Sequence, residues 1–130
     1  MLIIRKEQMD ALSAAMLKGF HRRMVAHLRT LFPTKTAEWD ETTGKEFVVA
    51  GTVKAGVHQV KAERDVARFV DLMLELGNDF EARPDMAWAK PLLADGEMGG
   101  TGKMNAIYHE LATRVPSAAW LREAWPDGDR

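Results

Sequence analysis

Residues 99–103 form the run Gly-Gly-Thr-Gly-Lys, whose glycines and lysine are of the types that bind phosphate groups. A complete phosphate loop also has a glycine five residues before Gly102, where this chain has Glu97. It has a serine or threonine directly after the lysine, where this chain has Met104. No strand is predicted ahead of the run, so the pattern favours a flexible connector over a phosphate site.

The histidines do not have the spacing of a metal site. His21 and His27 are six residues apart, which places them about 120° apart around a helix. A zinc-binding helix that used His109 would need a second histidine at the position of Thr113. The chain contains no cysteine, which excludes thiolate ligands, disulfide bonds and a cysteine nucleophile. The four histidines are therefore predicted to be surface side chains, and no metal site is expected.

Serine and carboxylate side chains give no better catalytic arrangement. Ser13 and Ser117 are the only serines, and Ser117 has the position of a helix cap. Asp71 and Glu75 are four residues apart, a spacing that most often marks the solvated face of a helix. We therefore predict that the chain is not an enzyme and that it binds no cofactor.

Charge is distributed unevenly along the sequence. Up to Lys35 the chain has seven Lys or Arg against two Asp or Glu, whereas the remainder has eleven against seventeen. Arg22 and Arg23 are therefore candidates for binding an acidic partner surface. Nucleic acid is the weaker interpretation, because only one helix is basic and the sequence pI is about 6.4.

Apolar residues recur at intervals of three or four, the period of a helix that buries one face. This pattern predicts an all-α fold of five or six helices without a sheet. The first helix is predicted to be long, from about Lys6 to Phe32, and to end before Pro33. Thr43, with Glu46 three residues later, has the spacing of a capping box for the second helix.

The clearest pattern predicts a third helix that begins at Glu63 and ends at Gly77. Its predicted buried face consists of Val66, Phe69, Val70, Met73 and either Leu76 or Leu74. Four glycines between Gly96 and Gly102 predict a loop, after which Thr101 is expected to cap a further helix. A short helix around Trp88 and a last one around Trp120 complete the fold.

The length suits one domain spanning residues 1–130, in which residues 116–130 form a peripheral tail. The three apolar residues after Met1 are too few for a signal peptide, and no stretch has the roughly 20 apolar residues of a membrane span. The chain is accordingly expected in the cytoplasm.

The segment after Gly77 has the composition of a partner-binding surface. Large apolar groups alternate there with charges, as in a hot spot with a polar rim. The candidate residues are Phe80, Arg83, Pro84, Asp85 and Trp88. The competing interpretation is that the rings of Phe80 and Trp88 fold back into the core. Trp39 and Trp125, in connector and terminal segments, are further candidates that could serve either an interface or the core.

Three stretches together resemble a family of small bacterial helical proteins. They are residues 4–9, residues 24–33 and, most extensively, residues 63–93, which contain Glu-Arg-Asp-Val, Leu-Gly-Asn-Asp-Phe and Trp-Ala in the family's order. Genes of this family often lie beside toxin, spike and adaptor genes of type VI secretion systems. The sequence departs from the family at residues 61–62 and at Pro91, and the tail after Val115 lies outside the resemblance.

The resemblance implies a non-catalytic accessory, adaptor or chaperone-like protein that binds a type VI secretion effector or spike component. Two other functions stay open. One is an immunity protein that neutralises a toxin, and the other is a small regulator that binds nucleic acid. The family has no established catalytic motif, so the resemblance implies no active-site residue.

Overall fold

The computed structural model describes residues 19–125. Within that range the chain forms six α-helices, joined in places by short 3-10 turns, and contains no strand. The prediction of an all-α fold with five or six helices is confirmed. The helices are α1 (Phe20–Leu31), α2 (Glu41–Val57), α3 (Glu63–Leu76), α4 (Ala89–Ala94), α5 (Gly100–Arg114) and α6 (Trp120–Ala124). No helix in the described range combines the length and the apolar character that a membrane span requires.

The chain divides into two compact units, and the division falls between Lys54 and Ala55, inside α2. Helix α1 and most of α2 belong to the first unit. The second unit contains the last residues of α2 and the helices from α3 to α6. The expectation of one domain over residues 1–130 stays a prediction.

Helix α1 is amphipathic and buries Phe20, Met24 and Leu28, which lie one above another at intervals of four residues. It begins after Gly19, whose φ of +89° lies outside the α-helical region. The predicted long helix from Lys6 is therefore not confirmed, and its first part lies outside the described residues. As predicted, α1 ends ahead of Pro33.

Helix α2 begins earlier than the sequence pattern indicated. The carboxylate of Asp40 accepts a hydrogen bond from the backbone N–H of Thr43 at 2.7 Å. Asp40 is therefore the N-cap, and the prediction that Thr43 has this role is wrong. Asp, like Thr, satisfies an orphan N–H at a helix start, and its charge also interacts favourably with the helix dipole. These hydrogen bonds from Thr43 hold the pKa of Asp40 below its ordinary value.

Helix α3 is the core helix of the second unit. Every side chain from Asp65 to Met73 is buried, including those of Asp65, Arg68 and Asp71. Asp71 is fully buried, so the prediction that it lies on a solvated face is wrong. The predicted stop at Gly77 is confirmed, with φ +113° and ψ 156°, a backbone region open almost only to glycine.

The glycine-rich segment is shorter as a loop than predicted, because α5 already begins at Gly100. A Cβ on Gly100 would lie 2.6 Å from the backbone oxygen of Gln59, so glycine is needed for this close approach. The prediction that Thr101 caps α5 is wrong. Thr101 lies in the first turn of that helix, and its hydroxyl donates to the carboxylate of Asp65 on α3.

Candidate interaction surface

The glycine-lysine run at the start of α5 is part of the packing of the second unit. Lys103 is only 1% exposed, and its Nζ donates to the backbone oxygens of His58 and Leu93, both at 2.8 Å. The ammonium group thereby bridges the turn after α2 and the end of α4. An ammonium group committed to backbone carbonyls is poorly placed to bind a phosphate. Among residues 19–125, no three His, Asp or Glu side chains cluster as metal ligands would.

Phe80 does not lie on a surface. It is fully buried, and its ring packs edge-on against Phe69 of α3, with 5.2 Å between the ring centroids. The expectation that Phe80 contacts a partner is therefore wrong, and the competing interpretation, that its ring folds back into the core, is correct. The helix stop at Gly77 allows this, because it turns the chain back over α3 within three residues.

Arg83 and Asp85 are partly exposed and form a two-pronged ion pair. Arg83 donates from Nε to Asp85 Oδ1 at 2.9 Å and from Nη2 to Asp85 Oδ2 at 2.6 Å. The third nitrogen, Nη1, donates to the backbone oxygen of Leu76 at 3.2 Å. Arg83 therefore satisfies a carbonyl in the last turn of α3, a position where a positive charge is favourable.

Trp88 lies half-buried beside this pair, and Pro84 is exposed. The indole N–H of Trp88 donates to the backbone oxygen of Asp85 at 2.9 Å. The guanidinium of Arg114, from the end of α5, lies 5.6 Å from the centroid of the Trp88 ring. Trp88 thus has both a packing role and an accessible edge, and the two predicted roles for it are compatible.

A groove of about 380 Å³ lies between α4 and α5. It is lined by Leu92 of α4 and by Asn105, Ala106, His109 and Glu110 of α5. Leu92 and Ala106 supply half-buried apolar surface, and the other three supply polar groups.

One ion pair connects the groove residue Glu110 to Trp88. Arg114 Nε donates to Glu110 Oε2 at 2.7 Å, and the same guanidinium lies over the ring of Trp88. The hydrogen bond from Arg114 lowers the pKa of Glu110. We call the groove residues, together with Trp88 and Arg114, the α4–α5 surface.

The sequence interpretation reached Trp88 but missed the rest of this surface. The apolar residues of α5 that recur at helical spacing, Met104, Ile107, Tyr108 and Leu111, all point into the core and are buried. The outer face of α5 becomes concave only because α4 packs beside it. The available signal was weak. Leu92 follows Trp88 by one helical turn, and Ala106 is a small side chain between longer ones.

The remaining predicted residues belong to segments other than those that form the α4–α5 surface. Arg22 and Arg23 are exposed on α1. Trp39 is half-buried and packs against Phe47, with 5.2 Å between ring centroids. The indole N–H of Trp125 donates to Asp71 Oδ2 at 2.9 Å, so this ring has an intramolecular contact.

A buried polar network surrounds Arg68 on α3. Arg68 pairs with Asp65 at 2.7 Å, and its guanidinium lies 5.5 Å from the centroid of the Tyr108 ring. The Tyr108 hydroxyl donates to the backbone oxygen of Arg68 at 2.7 Å. Burial, and secondly the negative charge of Asp71, raise the pKa of Tyr108 well above 10.0. The phenol therefore stays protonated and acts as a donor that joins α5 to α3.

The chain matches no protein-family model, no curated protein and no solved structure.

Proposed function

We propose that the chain is a non-catalytic protein-binding module that holds a segment of another protein on the α4–α5 surface. The observation that carries the proposal is the groove itself, in which half-buried Leu92 and Ala106 are bordered by polar groups. Apolar surface inside a polar border is typical of protein interaction hot spots.

The size of the groove favours a side chain of a partner over a large ligand. About 380 Å³ is near the lower end of the range for small-molecule pockets, which is roughly 300–1,000 Å³. One apolar side chain would cover Leu92 and Ala106. The amide of Asn105 and the carboxylate of Glu110 would then border the inserted group and bind polar atoms of the partner backbone.

The resemblance to a type VI-associated family supplies the partner in this proposal. The segment that carries most of that resemblance, residues 63–93, includes α3 and the stretch up to Leu93 that borders the groove. The proposed partner is therefore a secretion effector or a spike component, and the chain acts on it in the cytoplasm as an adaptor or chaperone-like protein.

A photo-cross-linking experiment with a matched pair of positions tests the surface. Ala106 lies in the groove, whereas Ala112 is an exposed alanine on the same helix outside it. A photo-activatable residue at position 106 should cross-link one partner protein in the native host, and the same residue at position 112 should not. Equal cross-linking from both positions would contradict the proposal.

The cross-linked partner, once purified, allows a quantitative measurement. Ala106→Arg fills the groove and should weaken binding at least about tenfold by titration calorimetry. Ala112→Arg adds the same side chain to the same helix and should leave the affinity unchanged. An effector or spike partner that needs this chain for delivery supports the adaptor role. A toxin that this chain inhibits would instead establish an immunity role.

A further inference from the structure

Four charged residues form one stripe along α3. Their spacing of four, three and four residues places them on the same side of the helix. They are Arg64, Arg68, Asp71 and Glu75. Each contacts an aromatic side chain of a later segment. Arg68 contacts Tyr108, and Glu75 accepts a hydrogen bond from the indole of Trp120 at 3.2 Å.

The other two charged residues contact the same ring, that of Trp125. Asp71 Oδ2 accepts the indole N–H at 2.9 Å, and the guanidinium of Arg64 lies 5.5 Å from the ring centroid. Asp71 has no exposed surface, whereas Arg64 is exposed. The ring therefore has a buried carboxylate at its N–H and a solvated cation over its face.

This pair of contacts favours indole over an aromatic ring that has no hydrogen-bond donor. A buried carboxylate that loses a donor keeps its desolvation penalty, so the occupant has to carry an N–H where the indole has one. A cation near the ring favours indole as well, because tryptophan has the strongest cation–π attraction of the aromatic side chains. Phenylalanine would satisfy only the second requirement.

Trp125 occupies this position from outside the last helix. Helix α6 ends at Ala124. It is anchored by Leu121, which is fully buried, and by Trp120, whose indole N–H donates a hydrogen bond to Glu75. Trp125 follows with a non-helical backbone, and its backbone N–H donates to the backbone oxygen of Arg122 at 3.3 Å. Its ring is half-buried. Helix α6 therefore has anchoring contacts of its own, separate from those of the Trp125 ring.

We propose that Asp71 and Arg64 form an indole-binding site, which Trp125 occupies within the chain and which an indole side chain of another protein can take over. The site lies on α3 and does not depend on the α4–α5 surface. Trp125 then acts as an internal competitor that sets a threshold for the incoming side chain.

The test uses N-acetyltryptophanamide and its 1-methyl derivative as probes, because methylation removes only the N–H donor. Full-length Trp125→Ala, with its folding checked by circular dichroism, should bind the unmodified probe in a saturable way. It should bind the methylated probe at least about tenfold more weakly, since hydrogen bonds to charged groups have effects of that size. Equal affinity for the two probes, or no binding by the folded variant, would overturn the proposal.

The unaltered chain tests displacement directly. Its four indole N–H groups should give separate signals in a proton–nitrogen correlation spectrum, so Trp125 and Trp120 can be followed together. Millimolar N-acetyltryptophanamide should move the Trp125 signal toward its solvent-exposed position and leave the Trp120 signal in place. A Trp125 signal that does not move at saturating probe would show that the ring is a fixed part of the fold, and would overturn the proposal.

Discussion

The guanidinium of Arg114 lies 5.6 Å from the centroid of the Trp88 ring and at the same time donates from Nε to Glu110 at 2.7 Å. One side chain at the end of α5 therefore orients both a ring and a carboxylate on the α4–α5 surface. Under the proposed function, this arrangement of the polar rim before a partner binds would reduce the entropy lost on binding.

Replacement of Arg114 by alanine should release both neighbours. We expect a loss of only about 0.5–1 kcal/mol in the free energy of unfolding, the usual range for an exposed cation–π contact. The indole N–H signal of Trp88 should shift in the nuclear magnetic resonance spectrum of the alanine variant. In Arg114→Lys, which keeps the positive charge, the shift of this signal should be smaller. An unchanged Trp88 signal in the alanine variant would show that the contact does not orient the ring.

Phe69→Ala should be among the most destabilising single changes in the second unit. Phe69 is fully buried and packs against Phe80, and a Phe→Ala change in a core typically costs about 3–5 kcal/mol. Leu74→Ala is the control on the same helix, because Leu74 is only half-buried and should cost less. Urea denaturation followed by far-UV circular dichroism measures both. Similar midpoints for the two variants would contradict the packing described for α3.

The Asp40 cap predicts a specific dependence of stability on pH. Hydrogen bonds from Thr43 lower the pKa of Asp40 from its ordinary value of 3.8. Asp40 therefore contributes stability above that value and loses the contribution as the pH falls through its lower pKa in the folded state. Asp40→Asn keeps a capping oxygen but does not titrate. The stability difference between the unaltered chain and this variant should shrink in acid, and a difference independent of pH would contradict the cap.

Because Arg83 also contacts the end of α3, Arg83 and Asp85 should contribute differently to the free energy of unfolding. Arg83→Ala removes the ion pair with Asp85 and also the hydrogen bond to Leu76, and should cost about 1 kcal/mol. Asp85→Ala removes a partly exposed ion pair and should cost less, since such pairs contribute about 0–1 kcal/mol. Lys90→Ala, at an exposed position, is the neutral control. If Asp85→Ala proved the more destabilising, the ion pair and not the helix end would be the main role of Arg83.

The two exposed arginines of α1 test the nature of the partner. Arg22 and Arg23 should interact with an acidic protein surface, so reversal of both to glutamate should weaken partner binding more at low salt than at high salt. The unaltered chain should not bind DNA or RNA tightly near 150 mM salt, a condition that screens a small number of phosphate contacts. Tight binding with a steep dependence on salt would favour the nucleic-acid-binding regulator.

Periodicity in the sequence was sufficient to predict the all-α class, and α3 begins and ends where its pattern predicted. It did not give the observed starts of α2 and α5. It was not sufficient for the polar residues. Asp71 has the spacing of a solvated acid, but it is buried and accepts a hydrogen bond from an indole 54 residues later in the chain. The prediction of the cap residue of α2 failed for a related reason. Asp40 and Thr43 are both good capping residues, and only the path of the preceding connector decides between them.

The candidate surface was predictable only in part for a geometric reason. Trp88 and its neighbours were recognisable because apolar and charged residues alternate along one segment. The groove beside them requires two helices, and neither has an outer face that is unusual by itself. Leu92 and Ala106 are 14 residues apart and meet only through the packing of α4 on α5.

The two hydrogen bonds of Lys103 have a consequence for chemical labelling. Its ammonium group is inaccessible to water and engaged by the oxygens of His58 and Leu93, so an amine-directed acylating reagent should modify the exposed lysines of the native chain and spare this one. Acylation at position 103 would then occur only while the packing of α5 is open. The rate of acylation at Lys103, followed by mass spectrometry, would therefore report how often the packing around this side chain opens, as amide hydrogen exchange does for backbone groups.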